Sequence, residues 1–209
     1  MRILSHRGLW TRPEEKNTAV AFERSFAGGF GTETDLRDHC GRLVVSHDPA
    51  DDRALGAEEF LRIHRQSDGS LPLALNIKAD GLRSLVRPLL EQNQVSDYFC
   101  FDMSVPETVA YRREGLRFFT RESEFERSPA LYESAAGVWM DQLTSDWITP
   151  ADIARHLEGG KQVALVSPEL HSRPHRPFWQ TLRDAGMGRA EGLLLCTDHP
   201  DSARTFFND

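Results

Sequence analysis

The sequence is short of the features that mark exported, membrane-spanning or nucleic-acid-binding chains. Its three cysteines, Cys40, Cys100 and Cys196, are odd in number and far apart, and no Cys-x-x-Cys pair occurs. A disulfide framework is therefore not expected; Cys100 and Cys196 lie in apolar runs, where a thiol packs as a small hydrophobe. No apolar run approaches the roughly 20 residues that a membrane span requires. Basic residues are outnumbered, 25 Lys and Arg against 32 Asp and Glu, giving a net charge of −7. No Lys/Arg cluster rises above scattered pairs, so a nucleic-acid partner is not expected. The chain opens on Arg2-Ile3-Leu4 without a charged-then-apolar leader, and the expected location is cytoplasmic. Two catalytic signatures are also missing. There is no G-x-S-x-G elbow, and Ser5-His6-Arg7-Gly8 is not a glycine-rich dinucleotide loop.

What is present is an alternation. Hydrophobic content of 39% and charged content of 27% over 209 residues allow one sizeable core. Short apolar runs predict strands at Ile3-Leu4, Thr32–Leu36 (extended by Arg42–Ser46), Leu73–Lys78, Tyr98–Asp102, Phe118–Arg121, Val138–Asp141, Val163–Val166 and Leu193–Thr197. Longer amphipathic stretches follow them. Asn17 or Thr18 caps the first, Gly28-Gly29 ends it, and Thr149-Pro150-Ala151-Asp152 is a strong start for a later one. Eight strand–helix units with right-handed crossovers predict an α/β fold, a (β/α)8 TIM barrel in one domain over residues 1–209. An open doubly wound sheet has no reason to use eight units.

Polar residues gather at the predicted strand ends. Gly31 to Pro49 (GTETDLRDHCGRLVVSHDP) places Glu33 and Asp35 two apart, on one face of an extended strand, and then His47-Asp48 after a second apolar run. His6-Arg7 follows the first strand, Asn76 and Lys78 end the third, and Asp102, Arg121, Asp141 and Asp198 end later ones. The C-terminal strand ends are where barrel enzymes carry their chemistry, and these side chains are expected to share one charged mouth. For Asp102, Asp141 and Asp198, capping of the following helix is the equal alternative. Paired carboxylates suit a hard divalent cation, Arg7 and Lys78 suit phosphate oxygens, and His6 and His47 suit acid–base work.

His6-Arg7-Gly8, Asn17-Thr18 with Ala21-Phe22, Glu33-x-Asp35 and His47-Asp48 resemble, in order and spacing, the signature of the glycerophosphodiester phosphodiesterase family. The strong part covers roughly the first quarter of the chain, and Thr197-Asp198-His199-Pro200-Asp201 is similar to that family's last strand end. The resemblance implies a cytoplasmic hydrolase of lipid metabolism acting on a small-molecule or glycan-linked phosphodiester. His6 and His47 would be acid and base, Arg7 and Lys78 would hold phosphate, and Glu33, Asp35 and Asn76 would hold Mg2+ or Ca2+. In that family a substrate hydroxyl attacks first, and water then opens the cyclic phosphate. The sequence departs from the family twice. Asn76-Ile77-Lys78 stands where Glu-x-Lys is usual, and most of the insertion after the second strand is missing. A non-catalytic phosphate-binding homologue is the alternative, and oligomeric state is not legible.

Overall fold

The computed structural model describes residues 1–208. Among them are ten strands and seven α-helices. In chain order these are β1 (Arg2–His6), α1 (Ala19–Ala27), β2 (Gly31–His39), β3 (Arg42–Val45), β4 (Leu55–Gly56), α2 (Ala57–Asp68), β5 (Leu73–Ile77), α3 (Arg83–Gln92) and β6 (Tyr98–Phe101). Then come α4 (Val105–Arg113), β7 (Phe119–Glu122), β8 (Gly137–Met140), α5 (Pro150–Glu158), β9 (Gln162–Val166), α6 (Arg176–Asp184), β10 (Leu193–Thr197) and α7 (Pro200–Asn208). All eight apolar runs are strands. β4 and the separate identity of β3 are additions to the sequence reading. After β7 there is only a 3-10 turn, Tyr132–Ser134, because residues 123–131 carry charge, Ser128 and Pro129 but no helical apolar period.

The chain forms two compact units, one of residues 5–118 and one of residues 1–4 with residues 119 onward. In the first, β2 runs parallel to β5, and β5 parallel to β6. β2 then overshoots its neighbours and turns at Cys40-Gly41, both at positive φ, so that β3 returns antiparallel with Val45 opposite Leu36. Leu36, Leu73, Leu75 and Ile77 pack with Phe22 and Phe26 of α1, Phe60 of α2 and Val86 of α3. Side chains alternate across a strand, so Glu33, Asp35 and Asn76 project from the face turned away from those helices. On the helix-facing side the hydroxyls of Ser5, Ser25 and Thr32 lie 2.7–3.0 Å apart and satisfy one another in the core. The loop after β1 lies directly on α1. At Gly8, with φ +88°, an added Cβ would stand 2.7 Å from the Ala21 Cβ.

In the second unit β7, β8, β9 and β10 are consecutive parallel neighbours. Val138, Met140, Val163, Leu165, Leu193 and Leu195 pack against Ile153, Trp179, Leu182 and Ala203 of α5, α6 and α7. α5 begins with a full capping box, Thr149 accepting from the Asp152 N–H and Asp152 accepting from the Thr149 N–H. α4 is capped by Ser104. The capping alternative therefore fails for Asp102 and Asp141, because Ser104 and Thr149 take those roles.

Candidate active site

The first unit assembles most of the residues that the sequence singles out. Asp35 faces Asn76 across the β2–β5 register, and the Lys78 N–H continues that ladder to the Leu36 carbonyl at 2.9 Å. Asn76 and Lys78 thus emerge on the face that carries Glu33 and Asp35. The Arg7 N–H donates to the Glu33 carbonyl at 2.9 Å, which ties the end of β1 to β2. The Ser46 N–H reaches the Asp35 carbonyl at 3.0 Å, so the end of β3 and the following His47 arrive at the same strand.

Asp35 is the hub. It has no exposed surface and forms ion pairs with Arg7 Nε at 2.9 Å and Lys78 Nζ at 3.1 Å. Asn17 Nδ2 donates to its Oδ2 at 2.9 Å. Burial works to raise the Asp35 pKa, but the charges of Arg7 and Lys78 and the Asn17 hydrogen bond outweigh it and hold the group below the ordinary range. Glu33, two residues earlier, has the opposite balance. Burial, followed by the negative charge of Asp35, pushes its pKa well above the ordinary value, and Arg7 and Lys78 offset only part of this. Its Oε2 lies 3.9 Å from His6 Nε2 and has no hydrogen-bond partner.

Three non-glycine residues around this hub occupy the left-handed region, Arg7 at φ 59°, Asn17 at 60° and Asp102 at 66°. Each such backbone costs on the order of 1–3 kcal/mol and persists only where its surroundings hold it. For Asn17 the holding contacts are clear. Its N–H donates to the Arg7 carbonyl at 2.9 Å, its Oδ1 accepts from the Thr34 hydroxyl at 2.9 Å, and its Nδ2 meets Asp35. Asn17 is thus a locating residue for Arg7 and Asp35, where the sequence suggests only a helix cap. Thr18 stands at the N-cap of α1, but its hydroxyl donates backward to the Glu15 carbonyl at 2.7 Å and caps nothing. Asp102 accepts from Asn76 Nδ2 at 3.2 Å, which leaves the buried Asn76 Oδ1 without a partner.

His47 is more exposed than His6. Its Nδ1 is 2.9 Å from Asp48 Oδ1, and its carbonyl accepts from Arg37 Nη2 at 3.1 Å. A proton shared on Nδ1 leaves Nε2 as an acceptor. Its side chain lines a trough together with Arg7 and Asn17. His6 is steadied from behind, its carbonyl accepting from Trp10 Nε1 at 3.1 Å.

The remaining strand-end residues belong to the second unit and form their own cluster. Asp141, almost fully buried, receives Arg121 Nη1 at 2.9 Å on one oxygen and His171 Nε2 at 2.6 Å on the other. The Asp198 N–H donates to Glu169 Oε1 at 3.1 Å, and the Thr197 hydroxyl also donates to that oxygen. His171 and Glu169, on the 3-10 segment after β9, had no signal in the sequence beyond their residue types.

A hard divalent cation takes six or more oxygen ligands. Among the described residues, no group of three or more His, Cys, Asp and Glu side chains is placed to hold a metal ion. The set that includes Asn76 carries two observations that fit one, since Glu33 Oε2 and Asn76 Oδ1 are both buried oxygens lacking a hydrogen bond. Asp35 Oδ1 stands on the same strand face, already paired with Lys78.

The fold is that of a (β/α)8 barrel, shared over the full chain with known phosphodiesterases. The crystal structure of a glycerophosphodiester phosphodiesterase from Agrobacterium tumefaciens matches with a TM-score of 0.72 at 16% identity, covering 100% of both chains. A phosphodiesterase from Oleispira antarctica, solved in complex with the product sn-glycerol-3-phosphate, matches at 0.74 and 14% identity, covering 100% of this chain and 97% of that one. A Thermotoga maritima glycerophosphodiester phosphodiesterase matches at 0.60 and 13% identity, covering 97% of each. No protein-family model and no curated protein sequence matches the chain.

Proposed function

We propose that this protein is a metal-dependent phosphodiester hydrolase of the glycerophosphodiester phosphodiesterase type, working in the cytoplasm. The observation that carries the reading is the convergence of Arg7, Lys78, Asp35, Glu33 and His6 on adjoining strand ends, with His47 arriving beside Asp35. The likeness in fold to phosphodiesterases supports the same class of reaction.

Arg7 and Lys78, held in place by Asp35, present donors to the phosphate oxygens and offset the charge that repels a nucleophile. One histidine takes the proton of the attacking hydroxyl, and the other donates a proton to the departing alkoxide. His47, with Nδ1 toward Asp48, is suited to accept on Nε2. His6 lies 3.9 Å from Glu33, whose carboxyl burial pushes well above its ordinary pKa, and is suited to donate to the departing alkoxide. Glu33, Asp35 and Asn76 would hold a magnesium or calcium ion, which when bound supplies Lewis-acid polarisation of a phosphoryl oxygen.

One observation favours the non-catalytic alternative. Asp35 is already neutralised by two cations, and Asn76 brings no charge, so the donor set is poor in negative charge for a divalent ion. A hydrolysis panel of phosphodiesters, with monoesters as controls and with magnesium, calcium or chelator, separates the two. On the best diester, His6→Ala and His47→Ala are each expected to lower turnover by about 10²–10⁴-fold without loss of fold. Near-wild-type rates in either variant would reject the acid–base assignment, and binding of diesters without any turnover would establish the alternative.

A further inference from the structure

Beyond His47 the surface opens into a trough of about 600 Å3. That is the size of a site for a drug-sized ligand, well above what the glycerol half of a diester would fill. Arg7 and His47 are among its lining residues, so an alcohol esterified to a phosphate at Arg7 would extend into it. The charged side chains that line the trough make local contacts. Lys16 Nζ sits 4.4 Å from the centroid of the Trp10 ring, and Arg53 is clamped on Asp51 through contacts of 2.6 and 3.0 Å. Asp48 is oriented by His47. Beyond Arg7 the lining carries Lys16 and Arg53 against Asp48 and Asp51, so its formal charges cancel.

Between these polar ends lie small apolar surfaces, those of Pro13, Pro49 and Leu55, and no row of long aliphatic or aromatic side chains that could hold an acyl chain. A lining of donors and acceptors set among small apolar surfaces matches sugar rings, which present hydroxyl edges and C–H faces. A neutral balance gives no attraction to a second anionic group.

We infer that this trough receives the alcohol portion of the substrate, and that this alcohol is a large polyhydroxylated one, so that the preferred substrate is a glycan-linked phosphodiester and not a lipid ester. This rests on the phosphodiesterase reading. Lys16 and Arg53 are then specificity-determining residues that touch the alcohol and take no part in the reaction at phosphorus.

The test compares three glycerol phosphodiesters, carrying choline, a disaccharide and a long-chain monoacylglycerol, on wild type, Lys16→Ala and Arg53→Ala. Turnover and calorimetric binding are both recorded, binding on the His47→Ala protein so that substrate survives. The disaccharide diester is expected to show the highest kcat/KM. Each trough variant should raise its KM about tenfold, the loss of one charged hydrogen bond, with kcat unchanged and with choline-diester kinetics unmoved. Equal kcat/KM across the three, preference for the acyl ester, or equal losses on the choline diester would overturn the inference while leaving the phosphodiesterase reading in place. Selective disaccharide-diester binding, lost in Lys16→Ala, without turnover by any form, would uphold the trough and overturn the hydrolase.

Discussion

Glu33 and Asp35 stand on one strand face two residues apart, yet substitution to the amide should have opposite consequences. Asp35 pairs with both Arg7 and Lys78 and has no solvent exposure, while the two cations keep about a fifth of theirs. Removing one member of a buried ion pair costs about 3–5 kcal/mol. The residual access of both cations to water places Asp35→Asn near the lower end of that range, about 3 kcal/mol. In urea, where ordinary slopes are ~1–3 kcal/mol/M, that moves the midpoint down by roughly 1–3 M. Glu33→Gln replaces a buried carboxyl whose Oε2 has no hydrogen bond and whose ionised form is opposed by burial and by Asp35. In chelator its stability should stay within about 1 kcal/mol of wild type or exceed it. The pH dependence gives an independent sign. A carboxyl with a raised folded pKa loses stability as pH climbs from the ordinary value of 4.5 toward that folded pKa, so wild type should weaken over that interval and Glu33→Gln should not. Adding magnesium or calcium should raise the wild-type midpoint, by about 2.7 kcal/mol at a hundredfold excess over Kd, and should not raise that of Glu33→Gln. Urea titrations of the three proteins, with chelator and with each metal, check all of this. If Glu33→Gln in chelator falls as far as Asp35→Asn, the division of labour between the two carboxylates is wrong.

Three further outcomes follow from particular contacts. Gly8→Ala should lose about 2–5 kcal/mol in urea unfolding, left-handed strain plus overpacking against Ala21. Asn76→Glu should tighten magnesium or calcium binding by about tenfold or more in calorimetric titration, since ligand charge sets much of the affinity of such sites; in chelator the same variant should be less stable than wild type, because the new carboxylate meets Asp102. Burial works to raise the Glu122 pKa, but hydrogen bonding to His156 at 2.8 Å, with the His156, Arg155 and Arg127 charges, leaves it lowered. Its contribution is therefore present above the ordinary value of 4.5 and lost as pH falls through the folded pKa, so Glu122→Gln should flatten the acid limb of the stability curve below pH 4.5.

The strands were legible because each is a short, strongly apolar run closed by a polar residue. Their ends were legible for the same reason, since a carboxylate or histidine directly after such a run has no place in the core. The β2–β3 hairpin was only half visible. Arg42–Ser46 reads as an apolar run, but the turn that reverses it depends on Cys40 accepting φ +49° beside Gly41, and cysteine is no signal for that conformation. The stretch after β7 reads as an irregular, charged segment with a short helix near Leu131, and there the chain forms the 3-10 turn Tyr132–Ser134. The distinction between strand-end aspartates that cap helices and those that face other side chains could not be anticipated, because Ser104 and Thr149 are equally good caps and only the backbone decides between candidates.

The site differs from the strands in what holds it together. Arg7, Asn17 and Asp102 adopt left-handed backbones, and each is fixed by partners distant in sequence: Glu33 for Arg7, Thr34 and Asp35 for Asn17, Asn76 for Asp102. Left-handed backbone is costly for Arg7 and only tolerated by Asn17 and Asp102, so a reading by local pattern assigns Asn17, and as the alternative Asp102, to helix caps. Long-range hydrogen bonds then override that pattern and deliver two cations and a buried carboxylate to one point. The same contacts explain why Asp35 and Glu33 cannot be exchanged. Asp35 is where the strained loops are anchored, and its charge is consumed in holding them, whereas Glu33 has been left with an oxygen that nothing in the protein satisfies. A residue with a buried carboxylate oxygen left unsatisfied, at the centre of a cluster assembled at the expense of backbone strain, is the one whose presence the proposed chemistry best accounts for.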